Sequence, residues 1–380
     1  MKHLTILTIL TLLLFFSSLS AHSQNNTTYL FIGTYTEGQA DKGIYVYAFD
    51  SKTGQLKKVS TAEQVTNPSF ITVSPDGRFI YACTDTKMPG AGSVTAFAFD
   101  SISGKLTTIN KQNAGGENPV YVAVHKSGKF VVNGNYTAGN VSVFSTNAGG
   151  SLNPHTQLIQ FTDSSVNKQR QEKAHIHAAV FSPQHDFMFF PDLGSDKIRT
   201  FRFDADRENP LVPADSLSVN TKPGSGPRHF TFHPHKNFAY CIEELSGTIS
   251  CYAYRNGKLD SIQRILSYAK PQEINSGADI HISPDGLFLY ASNRQENTIS
   301  IFSIDPENGR LKLQGHQSTF GDHPRNFVID PTGKFLLVAN LATHTVVVFE
   351  RDMKTGLLKK TGIQIDVPRP SCLQMRRYGK

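Results

Sequence analysis

Ionisable side chains stand in matching local settings along this 380-residue chain. In the first setting, a Pro or its substitute opens a short apolar strand, as in Pro-Arg-His-Phe (227–230), Pro-Arg-Asn-Phe (324–327) and His-Ile-His (175–177). One residue beyond the Pro position come Ser69, Val120, His177, Arg228, Ala278, Arg325 and Ser371. His175 precedes His177 by two, so an extended strand would place both on one side. A second setting, at the end of the next strand, holds Asn135, Asp192, Glu243, Asn293 and Asn340, with Glu244 and Arg294 one residue further on.

Arginines, a carboxylate and an imidazole in equivalent places suit an anionic substrate and a proton transfer. Guanidinium groups grip carboxylate or phosphate and steady an oxyanion, while His or Glu moves the proton. His177, Arg228, Glu244 and Arg294 are therefore read as catalytic, and His175, Arg325, Glu243 and Asp192 as substrate contacts. So many charges on one channel would be costly without a ligand or mutual pairing. The strand-end Asn135, Asn293, Asn340 and Asp192 also fit the turn-fixing role of such side chains. His229, His233, His235, His281, Asp76 and Asp285 read as strand and turn residues.

The elements that must position these groups are legible as a repeat. A Pro, a short apolar strand, a Pro-Asp-Gly-like turn and a second strand containing Phe recur from NPSFITVSPDGRFIYA (67–82) to HPRNFVIDPTGKFLLVAN (323–340). Each unit runs on into further alternating strands such as GSVTAFAFD (92–100), which imply half-buried β-structure separated by Gly, Asn and Asp turns. The Pro positions (68, 119, 176, 227, 277, 324, 370) lie 46 to 57 residues apart, the period of a four-stranded propeller blade. Three N-terminal strands (29–36, 43–50 and 54–60) lack an inner strand, and Arg-Pro-Ser-Cys-Leu-Gln-Met (369–375) supplies one. The expectation is an all-β, seven-bladed propeller closed by pairing its two ends, one domain over residues 24–380.

Composition narrows the function. The formal charge of +7 is scattered, and no basic block with interleaved aromatics argues for nucleic acid. Residues 1–23 have the pattern of a secretory signal peptide, with Lys2 and His3, an apolar run to Leu19, and Ala21-His22-Ser23 before the cut. A retained anchor is the alternative. The mature protein is expected to be periplasmic or secreted, without a membrane span. Cys241 and Cys251 flank a turn and read either as a hairpin disulfide or as two small buried side chains. No cofactor is called for: Trp and a Cys-x-x-Cys-His element are absent, and no spacing compels a metal, although a divalent ion in the channel stays open. A Gly-x-Ser-x-Gly element is also missing, which disfavours a serine hydrolase route.

At HIHAAVFSP (175–183), GPRHFTFHP (226–234), EELSGTISCY (243–252) and ASNRQENTISIF (291–302) the chain resembles the seven-bladed β-propeller lactonases. That family includes propeller-type 6-phosphogluconolactonases and carboxy-muconate cyclases, and the likeness covers the whole mature chain. It implies a site of one His, one Glu and two Arg, which fall on His177 (or His175), Arg228, Glu244 and Arg294 (or Arg325). One departure is Glu243, where relatives more often carry Asn. The function this implies is an exported sugar-lactone hydrolase of the 6-phosphogluconolactonase kind, its substrate a small, anionic lactone. In it Arg228 and Arg294 would hold the substrate and Glu244 or His177 act as base. The alternatives are a non-catalytic binding or scaffold propeller and a muconate-type lactonising cyclase; charges paired off from solvent would favour the scaffold.

Overall fold

A computed structural model describes residues 26–36, 43–270 and 272–379. The signal-peptide reading of residues 1–23 lies outside them. Seven antiparallel sheets form the blades of a propeller, six of four strands and one of five. The only helix among the described residues is a single 3-10 turn at Asp215–Leu217. It splits the outermost strand of the third blade into Leu211–Pro213 and Val219–Asn220, both paired with Lys197–Phe203. The ring closes as expected: Pro370–Tyr378 is the inner strand of a blade whose other strands are Thr27–Thr34, Ile44–Phe49 and Leu56–Ala62.

The repeated Phe and Gly have a shared cause in blade-to-blade packing. Phe288 begins a second strand, and a Cβ on Gly356 of the next blade would meet its ring at 2.3 Å. Gly150, Gly257 and Gly309 stand in the same relation to Phe79, Phe187 and Phe238. All four glycines have positive φ, so the turn demands Gly for conformation as well as space. Beside them Tyr81, Tyr240 and Tyr290 each donate across the gap, to the carbonyls of Gly150, Gly309 and Gly356 at 2.7–3.0 Å. Each buried ring adds about 2 kcal/mol of apolar burial. Pairs of blades thus enclose a series of aromatic and aliphatic cores rather than one centre.

A β-bulge recurs at the start of several units. The register slips between Pro119 and Tyr121, Pro227 and His229, and Pro324 and Asn326. The extra residue is therefore the one after Pro: Val120, Arg228 and Arg325. A bulged residue leaves the ladder and is re-aimed, and here it is delivered to one end of the channel. In six blades the residue just past the second strand (Tyr35, Tyr136, Leu193, Glu244, Arg294, Leu341) donates its N–H to the carbonyl of the residue before the Pro position, at 2.7–3.1 Å. These two positions together frame the mouth.

Of the two readings of Cys241 and Cys251, the structure supports two small buried side chains. All four are free and buried. Cys241 lies opposite Ser250 and Cys251 opposite Tyr240. The one-residue offset turns the two sulfurs to opposite faces of the sheet, so a hairpin disulfide is excluded by register. No helix among the described residues is long and apolar enough to cross a membrane.

Candidate active site

The mouth holds a cavity of about 180 Å³ lined by Tyr35, Lys87, Asn118, Val120, Tyr136, Arg170, His177, Glu244, Arg294 and Arg325. Larger clefts lie between outer strands, one of about 930 Å³ along Asn26–Thr28 and Ala48–Asp50. Their exposed lysines and threonines bring no buried acid and base together, whereas the mouth does. Chemistry, not size, selects the site.

Glu244 is its centre. Its side chain is 5% exposed and meets three guanidinium groups: Oε1 lies 2.7 Å from Arg170 Nη2, and Oε2 lies 3.0 Å from Arg228 Nε and 2.8 Å from Arg294 Nη2. Burial alone would raise its pKa, but Arg294 and Arg228, with His177 and Arg170, hold the carboxyl well below the usual range. Gly226 helps set this geometry, because its positive φ turns its carbonyl to the Glu244 N–H at 2.7 Å. Arg294 is fixed further by donating to the carbonyls of Ser276 (3.2 Å) and Gly277 (3.0 Å). Arg228 lies under the cavity rather than in its lining, 1% exposed, and also donates to the Ala278 carbonyl.

His177 enters at the position equivalent to Arg228. Its ring is edge-on to Tyr136 (5.3 Å between centroids) and to His229 (5.4 Å). Burial first, then Arg228 and His229, depress its pKa well below the ordinary histidine value, so it is neutral near pH 7. Its Nδ1 is buried with no hydrogen-bond partner among the described residues. Below it, Phe70 and Tyr121 stack at 4.1 Å and His229 packs against both rings, filling the channel. Asp279 anchors that floor. It accepts from His229 Nδ1 (2.7 Å), His281 Nε2 (2.9 Å), Asn326 Nδ2 (2.5 Å) and the Phe327 N–H (3.2 Å).

Of the eight expected site residues, the structure brings His177, Glu244, Arg294 and Arg325 to the cavity and places Arg228 directly beneath. The other three lie outside its lining. Glu243 is fully buried and turned to the third strand, accepting from Arg264 Nε (2.7 Å), Ser250 (2.7 Å) and Thr248 (2.5 Å). Successive strand residues face opposite ways, so Glu244 meets the mouth only if Glu243 does not. The extra carboxylate is thereby paired with Arg264 and leaves the mouth's charge unchanged. Asp192 is buried against Arg199 (2.8 and 2.9 Å) and the His175 N–H (2.8 Å). His175 lies behind Tyr136, stacked on its ring at 4.4 Å and bonded through Nδ1 to its carbonyl at 2.9 Å. These three shape the walls and do not line the cavity.

Sequence reasoning missed Arg170, Tyr35, Tyr136, Asn118 and Lys87. Tyr35 and Tyr136 occupy the strand-end position that gave Glu244 and Arg294, so extending that register to every blade finds them. Arg170 comes from the segment that makes the interval between Pro119 and Ile176 the longest, at 57 residues. Its guanidinium also donates to Tyr136 Oη at 3.3 Å. Asn118 and Lys87, both at positive φ, carry no such signal. No cluster of three His, Cys, Asp or Glu side chains suited to a metal occurs among the described residues.

Comparison with known proteins agrees with this fold. Residues 29–375 match the family model described as lactonase, 7-bladed beta-propeller. The chain is 44% identical over 305 residues to a 6-phosphogluconolactonase of Formosa agariphila, covering 79% of this chain and 86% of that one. It is 35% identical over 303 residues to the 6-phosphogluconolactonase of Bacillus subtilis, covering 79% and 84%. The solved structure of a periplasmic gluconolactonase from Pseudomonas aeruginosa superposes with a TM-score of 0.87 at 36% identity, covering 92% of this chain and 99% of that one.

Proposed function

The chain belongs to the seven-bladed β-propeller lactonase family, and from that premise we propose that it hydrolyses an anionic sugar lactone, 6-phosphogluconolactone or a related aldonolactone, at the mouth of its channel. The observation that carries this reading is a neutral, partnerless His177 beside a Glu244 held by three arginines. The cavity is lined by four cations and one carboxylate, an excess that favours an anionic ligand.

The roles follow from which atoms are free. Both Glu244 oxygens are engaged by guanidinium groups, so Glu244 is a poor base and serves to hold Arg170 and Arg294 in place. His177 is the base. It takes a proton from water as the water oxygen attacks the lactone carbonyl carbon and the carbonyl electron pair moves onto oxygen. Arg294 and Arg170 stabilise that oxyanion. The tetrahedral species then re-forms C=O, breaks the bond to the ring oxygen and receives the proton back from His177 there. The product is the open hydroxy acid, whose carboxyl proton passes to solvent. Arg228 acts from below, keeping Glu244 charged and oriented.

The mutual pairing of these charges is the pattern expected of a scaffold, but here it surrounds a cavity and leaves His177 unpaired. A panel of phosphorylated and unphosphorylated lactones, assayed by acid release against the spontaneous rate, tests the reading. No acceleration for any of them would support the binding-module alternative. We also propose export, supported by the pattern of residues 1–23 and the similarity to a periplasmic gluconolactonase. A mature N-terminus other than Gln24 on the purified protein would count against the assigned cut.

A further inference from the structure

The two halves of the mouth differ in how well their polar groups are satisfied. On one side Glu244, Arg294 and Arg170 are bonded to one another, to backbone carbonyls or to Tyr136, and the unpartnered atom is the Nδ1 of the base, His177. On the other side stand Tyr35, Lys87, Asn118 and Arg325, contributed by four different blades. Tyr35 is 3% exposed, and its buried hydroxyl has no partner among the described residues. Asn118 spends Nδ2 on Thr137 at 3.2 Å while its buried Oδ1 has none. Lys87 Nζ and Arg325 Cζ lie 4.3 and 5.5 Å from the centroid of the Tyr35 ring. Neither cation has a carboxylate partner among the described residues, unlike Arg170, Arg228 and Arg294.

Each group states what it lacks. Arginine and lysine only donate, so Arg325 and Lys87 call for an oxyanion. Asn118 Oδ1 only accepts, so it calls for a ligand hydroxyl. Tyr35 can do either. Two cations held near one ring also repel each other, and a ligand dianion bound by both offsets that repulsion. Buried polar atoms without partners cost about 1–3 kcal/mol each, so Tyr35 Oη and Asn118 Oδ1 on one cavity, beside two cations with no carboxylate partner among the described residues, indicate a ligand that completes them.

We propose that Tyr35, Lys87 and Arg325 form a subsite for a phosphoryl group carried on the lactone away from its carbonyl, with Asn118 accepting from a hydroxyl next to it. This inference rests on the lactonase reading and adds the residues that decide between phosphorylated and unphosphorylated lactones. The two halves then divide the work: Glu244, Arg294, Arg170 and His177 face the reacting carbonyl, and the Tyr35 half selects the substrate.

The test has two arms on the full-length mature protein. In the first, inorganic phosphate is titrated by calorimetry into wild type and into Arg325→Gln, with acetate at equal ionic strength as the control. Millimolar phosphate binding, weakened about tenfold in Arg325→Gln and not matched by acetate, is expected. Equal affinity in both proteins, or equal binding of acetate, overturns the subsite. In the second arm, kcat/KM is measured for a phosphorylated aldonolactone and its unphosphorylated counterpart. Wild type should favour the phosphorylated lactone by about 100-fold, the scale of two charge-assisted contacts, and Arg325→Gln, Lys87→Gln and Tyr35→Phe should each shrink that ratio. A wild-type ratio near one, or substitutions that lower both values equally, rejects the proposal. Phosphate binding that is lost in Arg325→Gln with no lactone turned over rejects the lactonase reading and leaves the subsite standing.

Discussion

Arg228 Nε sits 3.0 Å from Glu244 Oε2, and neither side chain is more than 5% exposed. Burial, with Arg294 and Arg325 close by, disfavours charge on Arg228, and Glu244 and Asp279 offset that. Removing one partner of such a pair leaves the other charge buried, at about 3–5 kcal/mol. Arg228→Ala should therefore lower the unfolding free energy by several kcal/mol and abolish turnover. A melting curve like that of the wild type would show that the pair does not bear on stability.

Arg170 offers the opposite expectation. Its side chain is 43% exposed although it bonds Glu244 at 2.7 Å. Arg170→Gln should leave the melting temperature within about 1–2 °C of wild type, as surface substitutions do, while kcat/KM falls roughly 10- to 100-fold from the lost oxyanion contact. Wild-type kinetics in this variant would remove Arg170 from the reaction.

The pH profile reports on His177. As a base it must be unprotonated, so activity is lost as pH falls through its pKa. Burial, Arg228 and His229 push that pKa well below 6.5. Turnover should therefore stay level from pH 7.5 down past 6.5 and decline only in more acidic buffer. An acid limb centred at or above pH 6.5 would assign the base to another group.

Asp279 predicts acid sensitivity of the fold. Burial would raise its pKa, but His281 and His229 pull it far below the ordinary carboxylate value. A depressed folded-state pKa gives stability that is present above the unfolded value of about 3.9 and is lost as pH falls below it. Asp279→Ala should cost on the order of 3 kcal/mol at pH 7 and flatten that acid decline in urea unfolding. An unchanged pH dependence in the variant would show that the network contributes nothing to it.

The blade count, the closure and most of the site were legible because one phrase repeats, so that exceptions in its register become visible. Two limits were physical. Strand alternation decides which of Glu243 and Glu244 reaches the mouth, and a one-residue offset separates Cys241 from Cys251; neither can be read until the strand register is fixed. Arg170 and Lys87 come from irregular loops, whose side chains are placed by tertiary contacts and not by a period. Tyr35 and Tyr136 were within reach of the register and were missed because only two blades were carried to that position.

The most direct test is the rate of acid release from 6-phosphogluconolactone by the wild type and by His177→Gln, with both shown to be folded by circular dichroism. Wild type should exceed the spontaneous rate by a wide margin, and His177→Gln should lose about 10²- to 10⁴-fold of that acceleration, the usual worth of a general base. Equal rates in the two proteins would contradict the role given to His177 and with it the assigned mechanism.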